Sequence, residues 1–514
     1  MKGAKALRAL AGVGLCGLGL WLVLGVPYHP RTFRVDAGGC RLITDIAEPA
    51  GDSPKGYVVL LHGISASKTV MSYFAQGFQE EGLRVFVPDL PGHGRTNGPF
   101  SPARAEQCSE SLVRELVARG LLDPERTFLA GHSMGGAIAL RVASRIPVAG
   151  VIAISPAPMG NRQGIPQELI PFPDLGTLPA HSLVMSAAWE PEPVQKAARD
   201  LVPSPGDGTS EYLSVPRASH VSILFDSLAL FKSEKWAAQV LRLSAVEKLP
   251  SHRRLLGFFA GFAGILLLAG PFLRELLQSN KAGEPASEVA LPPARGRMFL
   301  EWVIIALATI GILIYWTPLR ALHLFEGDYF ASFLLILGVA LVAMHWSLLP
   351  QLCWAESAQN PASSWRRYYP ILAAVVAAFI LFFLFMAWLD LAFTEVWVTA
   401  ARWARFAPFF LAVLPYHAAE ELLLGPAAAT KGWQRLAAAL LLRLLAFGAI
   451  LAGVFLLHSG QILLVILAAY FALFCMLQLW AMNLVRQATR SPAAAALFGA
   501  ILLTGFCLVV FPTT

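Results

Sequence analysis

Between Leu255 and the C-terminus the chain holds eight apolar runs in succession, near 255–273, 299–317, 329–349, 370–394, 407–424, 436–457, 461–484 and 493–511, parted by short polar loops. A run of about 20 apolar residues is long enough to cross a hydrocarbon layer roughly 30 Å thick as a helix. Inside that layer the backbone must satisfy its own N–H and C=O groups, which restricts spanning segments to helices and closed barrels. The runs therefore predict an all-α polytopic membrane domain over 251–514. A further apolar run, Ala9–Val26, follows Lys2, Lys5 and Arg8. Its two readings are a secretory signal and a membrane anchor. The run is long for a signal core, and no small-x-small cleavage pattern follows it. Leu15 precedes Cys16 where a lipoprotein signal would carry a small residue. Residues 1–30 accordingly read as an uncleaved anchor, which makes nine crossings.

Composition agrees with a membrane protein. The 514 residues are 56% hydrophobic and 14% charged, with mean hydropathy +0.58, too apolar for an ordinary soluble chain. Loop charge sets the orientation. With the N-terminus in the cytoplasm, inside segments carry thirteen Lys and Arg residues and outside flanks carry five. That bias predicts residues 31–250 on the extracytoplasmic side, periplasmic in a bacterium. The net charge of +7 then reports membrane topology, with the lipid bilayer as partner and no nucleic acid.

Residues 31–250 have the patterning of a globular domain. Arg31–Ile46 reads as a hairpin. Tyr57–Leu61, Leu83–Val87, Thr127–His132, Gly150–Ile154, Ser182–Met185 and Tyr212–Val215 are short β-prone runs. Helical stretches at Ser72–Glu81, Ala103–Arg119 and after Met134 alternate with them. Alternation of this kind implies a mostly parallel sheet with helices on both faces. Sites in such sheets form at the carboxyl ends of strands, where His62, Asp89, Ser133 and Ser155 all fall.

One of those strand ends carries Gly131-His132-Ser133-Met134-Gly135, a Gly-x-Ser-x-Gly turn between a strand and a helix. A serine at the apex of such a turn sits on strained backbone with its Oγ raised above the sheet. The pentapeptide alone is weak evidence in a chain with 42 glycines. Its strand-before, helix-after context is what marks Ser133 as a nucleophile, against the plain alternative of a glycine-rich turn in an inert sheet.

Four stretches, "VVLLHGISAS", "GLRVFVPDLPGHGRT", "FLAGHSMGGAIAL" and "YLSVPRASHVSILFD", together resemble the α/β-hydrolase superfamily. The resemblance is to the branch of monoacylglycerol lipases, lysophospholipases and esterases, and it spans about residues 31–240. It implies an α/β fold, a serine hydrolase acting on carboxylic esters, no cofactor and no metal. It also implies the order Ser, acid, His. His220, the last histidine of the domain, stands where that order places the base. His62 and His93 read as loop-shaping residues, His132 as the variable residue of the turn, and His181 as preceding a strand. Glu190-Pro191 occupies the place where the family commonly has Asp-Pro, so Glu190 is the first candidate acid, with Glu192 and Asp207 as alternatives. Backbone N–H groups of Met134 and Ile64 are the candidate oxyanion donors. The segment between Ser155 and Ser182, where relatives often insert a helical cap, is short. Its Ile165, Leu169, Ile170 and Phe172 suggest a face toward lipid.

Polar groups within spans need an account. His417, Glu420 and Glu421 share one helix face by i, i+3 and i, i+4 spacing, and Asp390 and Arg443 fall inside predicted spans. Three such residues are too few for a metal site, and a structural pair such as Glu421 with Arg443 is expected. Cys40 and Cys108 lie in the globular domain; with no sequence evidence of proximity, two free thiols is the default. The resulting expectation is a membrane-embedded hydrolase of lipid-derived acyl esters. The alternatives are an acyltransferase, or a transporter or scaffold whose α/β domain senses a ligand.

Overall fold

Eight short runs rich in Val, Ile, Leu and Phe form the strands. The computed structural model describes residues 2–51, 53–165, 167, 170–202, 209–244, 249–277, 295–353, 364–424 and 432–514. Within these, the chain forms two compact units. The α/β unit comprises Leu20–Phe258, Leu389–Thr399 and Pro512–Thr514; the helical unit comprises Met1–Gly19, Phe259–Trp388 and Ala400–Phe511.

In the α/β unit the strands are β1 (Arg31–Ala37), β2 (Cys40–Ala47), β3 (Gly56–Leu61), β4 (Leu83–Pro88), β5 (Thr127–His132), β6 (Gly150–Ile154), β7 (Ser182–Ala187) and β8 (Ser210–Val215). They make one sheet in the order β1-β2-β4-β3-β5-β6-β7-β8. β1 and β2 form an antiparallel hairpin, and β2 pairs antiparallel with β4. Every later pairing is parallel. Gly38 and Gly39 close the hairpin with both φ positive, a geometry that suits glycine and matches the twist of the flanking strands. β5, β6 and β7 are buried along their whole length, which is why they read as continuous rather than alternating apolar runs.

Helices α1 (Lys2–Leu24), α2 (Ser72–Glu80), α3 (Pro102–Ala118), α4 (Met134–Ala143), α5 (Glu192–Arg199) and α6 (Ser227–Leu241) follow in chain order. α3 starts on Ser101, whose side chain accepts from the Arg104 N–H, with Pro102 in the first turn, a standard start signal. Phe74 and Phe78 of α2, Leu230 and Trp236 of α6 and Val58, Val85 and Ile152 of the sheet share one core.

Cys40 and Cys108 are joined, with Cα atoms 5.6 Å apart, which overturns the expectation of two free thiols. The hairpin turn sets Cys40 at the head of β2, and α3 lies across it; neither placement is visible from sequence spacing. The short segment after Ser155 also departs from expectation. Phe172 and Ile170 are buried in the α/β unit, and a bridge pairs Met159 with Phe172, so these side chains point inward. Leu169 lies outside the described residues.

Among the described residues, eight helices are long and apolar enough to cross a membrane: Ala6–Leu24, Arg253–Leu277, Gly296–Tyr315, Gly327–Met344, Tyr368–Ala392, Trp433–Leu457, Ala468–Thr489 and Pro492–Val510. The remaining expected span is the 18-residue helix Phe406–Leu423, made less apolar by His417, Glu420 and Glu421. Those carboxylates are answered differently from the expected Glu421–Arg443 pair. Arg443 instead grips Glu420 with two hydrogen bonds of 2.8 Å and donates to Gln478 at 2.5 Å. Glu421 pairs with Arg435 at 2.7 Å and with Arg486. Both carboxylates lie on the one helix, and Arg443 reaches the nearer-facing of the two. Asp390 falls in the last turn of the long apolar helix Tyr368–Ala392, as expected, where its carboxylate accepts from the N–H groups of Val396 and Trp397 just beyond the helix end.

Candidate active site

The turn after β5 is forced by its glycines. A Cβ on Gly131 would stand 2.3 Å from the Gly135 carbonyl oxygen, and one on Gly135 would stand 2.3 Å from that of Leu61. Strand and helix can therefore meet this closely only without side chains at those positions. Ser133 takes φ 55° and ψ −118°, a conformation that costs of order 1–3 kcal/mol for a residue with a side chain. It is held there by its N–H donating to Ile154 O at 2.9 Å and its carbonyl accepting from Ala157 N–H at 2.9 Å. α4 begins at Met134, directly after it.

His220 lies in the loop that follows β8. Its Nε2 is 3.0 Å from Ser133 Oγ, and its Nδ1 is 2.5 Å from Glu190 Oε1. A carboxylate facing Nδ1 holds the ring proton there and leaves Nε2 as the acceptor for the serine hydroxyl. The second carboxylate oxygen of Glu190 accepts from the Ala187 N–H at 2.8 Å and the Ser155 hydroxyl at 3.3 Å. The acid loop is also tied to the loop after β8, through Ala188 N–H to Val215 O at 3.0 Å and Trp189 N–H to Ala218 O at 2.9 Å. The Glu190 side chain is 3% exposed and that of His220 32%, so the carboxylate is enclosed and the imidazole reachable.

Of the alternative acids, Glu192 is exposed in the first turn of α5, a favourable place for a negative charge at a helix N-terminus. Asp207 lies outside the described residues. Of the expected oxyanion donors, Met134 directly follows the serine at the head of α4, and Ile64 follows Gly63 in the loop after β3. Gly63 packs so closely over the serine that a Cβ there would lie 3.1 Å from Ser133 Cβ. Ser155 was noted only as a strand end; its bond to Glu190 depends on β6 and β7 being neighbours, which sequence order does not fix.

The other histidines hold loops. His62 donates from Nδ1 to Gly63 O at 2.7 Å and accepts at Nε2 from Leu90 N–H at 2.9 Å. Burial pushes its pKa down to about 4, so it is the neutral ring that this bonding pattern requires. His93 donates to Pro91 O at 2.9 Å. His132 donates to the carbonyl of His220 at 2.7 Å, fixing that backbone. Burial and the neighbouring His220 ring hold it well below the ordinary imidazole range, so it adds no positive charge beside the base. Trp236 donates to the carbonyl of His181 at 3.0 Å, at the entry to β7.

Residues 52–184 match the family described as Serine aminopeptidase, S33. The α/β unit has the α/β-hydrolase fold. Among its relatives, Esterase YjfP of Escherichia coli is 33% identical over 114 residues, 20% of this chain and 45% of that esterase. Monoacylglycerol lipase of Mycolicibacterium smegmatis is 35% identical over 112 residues, 21% of this chain and 40% of that lipase. The chain thus spans less than half the length of these curated relatives. A soluble variant of monoglyceride lipase from Saccharomyces cerevisiae, solved with a substrate analog, covers 42% of this chain and 98% of its own, at 14% identity and TM-score 0.33. Residues 52–184 hold the turn serine and most of the parallel strands.

Proposed function

We propose that the chain is a membrane-embedded serine hydrolase that cleaves carboxylic esters, with lipid-derived acyl esters as its substrate class. The observation that carries this reading is the line Ser133–His220–Glu190, with two short contacts in the order that acyl transfer needs. Ser133 Oγ attacks the ester carbonyl while His220 Nε2 takes its proton. Glu190 keeps the imidazole in the right tautomer and stabilises its charged form. The N–H groups of Met134 and Ile64 receive the oxyanion. His220 then protonates the leaving alkoxide, and water resolves the acyl-enzyme by the reverse sequence. Monoacylglycerol lipase among the relatives supports a lipid ester, and the long apolar helices support a bilayer as its source.

The hydrolase unit faces the extracytoplasmic side, and the chain crosses nine times. Connectivity supports this. The chain leaves the α/β unit at Phe258 and returns at Leu389, then leaves at Thr399 and returns at Pro512. Four long helices occupy the first excursion. The second holds four only when Phe406–Leu423 crosses with the other three, and an even number is needed to bring the chain back to the side it left. The Cys40–Cys108 bond also suits an oxidising compartment.

Hydrolysis of a mono-oleoylglycerol dispersion by the full chain in detergent, compared with Ser133→Ala, tests the substrate class. Fatty acid release by the native protein alone is expected. Release from p-nitrophenyl butyrate with none from the glyceride would remove the lipid assignment.

A further inference from the structure

The α/β-hydrolase contains a segment, Leu389–Thr399, that the sequence delivers only after four long helices. Its contacts converge on the turn beside the nucleophile. That turn runs from His62 to Ser67, with Gly63 against Ser133 and Ser65 at φ 58°; Lys68 opens the following helical turn. Ser67 Oγ accepts from the Glu395 N–H at 2.8 Å and lies 2.9 Å from Thr394 Oγ1. Lys68 is fully enclosed. Its Nζ meets Glu395, Asp89 at 3.3 Å and Asp45 at 3.9 Å, and its backbone N–H donates to Asp89 at 2.8 Å. Arg95 closes the cluster, 3.4 Å from Glu395 and 3.6 Å from Asp390.

We propose that Glu395 is a positioning residue for the hydrolytic site, clamping the turn 63–67 through Lys68 and Ser67 so that the Ile64 N–H is held where the oxyanion forms. This rests on the hydrolase reading above. The physical argument is one of lever ends. The near end of the turn lies over Ser133, and on the far side the chain continues through Ser67-Lys68, where the polar contacts of the late segment fall. That far end is held by one buried ammonium whose partners come from strand β2 (Asp45), the loop after β4 (Asp89) and the late segment (Glu395). Replacing the Glu395 side chain takes away the nearest of three carboxylates around an enclosed cation; the backbone N–H stays on Ser67 Oγ, so the turn is loosened through Lys68. A misplacement of about 1 Å at a reacting group costs on the order of 10² in rate. Loss of a whole oxyanion donor costs about 10²–10³, which bounds the effect from above. Thr394 acts in the same strap through a neutral hydroxyl.

The test uses the full chain in detergent with p-nitrophenyl butyrate, every rate being divided by the concentration of sites that a fluorophosphonate probe titrates. Glu395→Gln is expected to lower kcat per titrated site ten- to hundredfold, with KM changed less than twofold. Glu395→Asp should recover at least a third of the native kcat. Thr394→Ala should lower kcat three- to tenfold, and it serves as the reading should Glu395→Gln yield too little folded protein. A purely architectural role would reduce the number of titrated sites and leave kcat per site native. That outcome, or a native kcat in both Glu395→Gln and Thr394→Ala, overturns the proposal. A native chain with no Ser133-dependent labelling would instead remove the hydrolase reading itself, and the positioning role with it.

Discussion

Glu190 presents its two oxygens to different tasks: Oε1 meets His220 Nδ1 at 2.5 Å, and Oε2 is pinned by the Ala187 N–H and the Ser155 hydroxyl. The pin fixes the carboxylate before the base moves, so charge appearing on the imidazole finds its partner already oriented. Replacing Glu190 by Gln preserves the shape and removes the acceptor that selects the tautomer. A fall in kcat of about 10³–10⁴ is expected. Glu190→Asp, one methylene short of spanning both anchors, should lose about 10–100-fold. Glu192→Ala should stay within about twofold, as an exposed residue of the α5 first turn. Steady-state ester hydrolysis by the three variants checks the ranking.

The Cys40–Cys108 bond closes a loop with a sequence separation of 68. In a chain-entropy account a loop of that size contributes about 4 kcal/mol. Mass spectrometry of non-reduced protein should find residues 40 and 108 in one cross-linked peptide pair. Cys40→Ser should lower the unfolding midpoint of the α/β unit. Free thiols at both positions in protein handled without reductant would contradict the pairing.

Glu234 of α6 is enclosed, and among the described residues neither of its carboxylate oxygens has a hydrogen-bond partner. Burial, with Glu81 and Glu80 nearby, raises its pKa from 4.5 to about 8. Between those values the folded state keeps a proton that the unfolded state has released. Stability therefore falls as pH rises through that window, by up to about 1.4 kcal/mol per pH unit, and the contribution is flat outside it. Glu234→Gln should abolish this component and exceed the native protein in stability at pH 8. Denaturant melts at pH 5, 6.5 and 8 measure it; equal slopes in the two proteins would show that the carboxyl is ionised in the fold.

In the helical unit, Arg443 and Glu420 are enclosed together. Arg443→Met strands a buried carboxylate, at a cost of about 3–5 kcal/mol. The double variant with Glu420→Gln should cost less than the sum of the two single changes, because the second change removes the charge left unpaired by the first. Thermal unfolding in detergent of the four proteins of this cycle gives the coupling.

The sequence disclosed most of the hydrolase layer because its signals are local. Strand runs at 57–61, 127–132 and 150–154 lie within a residue of the observed strands, since a strand buried on both faces must be continuously apolar. The Gly131–Gly135 turn shows itself by the absence of side chains. Glu190 was singled out by position relative to Pro191 and left beside Glu192 and Asp207, because which carboxylate turns inward depends on how the loop after β7 folds against the loop after β8. Long-range pairings were opaque. Cys40 with Cys108, Arg443 with Glu420 in place of Glu421, and Lys68 with Glu395 all join residues that no periodicity connects. Asp390 lies at the end of an apolar helix, as read from the sequence, but the hydropathy pattern does not show that its carboxylate holds the N–H groups of Val396 and Trp397.

The most direct measurement is covalent. The full chain in detergent is treated with a fluorophosphonate, digested, and the adduct located by tandem mass spectrometry. The adduct should sit on Ser133 and on no other residue. Labelling should be absent in Ser133→Ala and slowed at least about a thousandfold in His220→Ala. A native protein that takes no label, or takes it equally after Ser133→Ala, would contradict a serine nucleophile at the turn after β5.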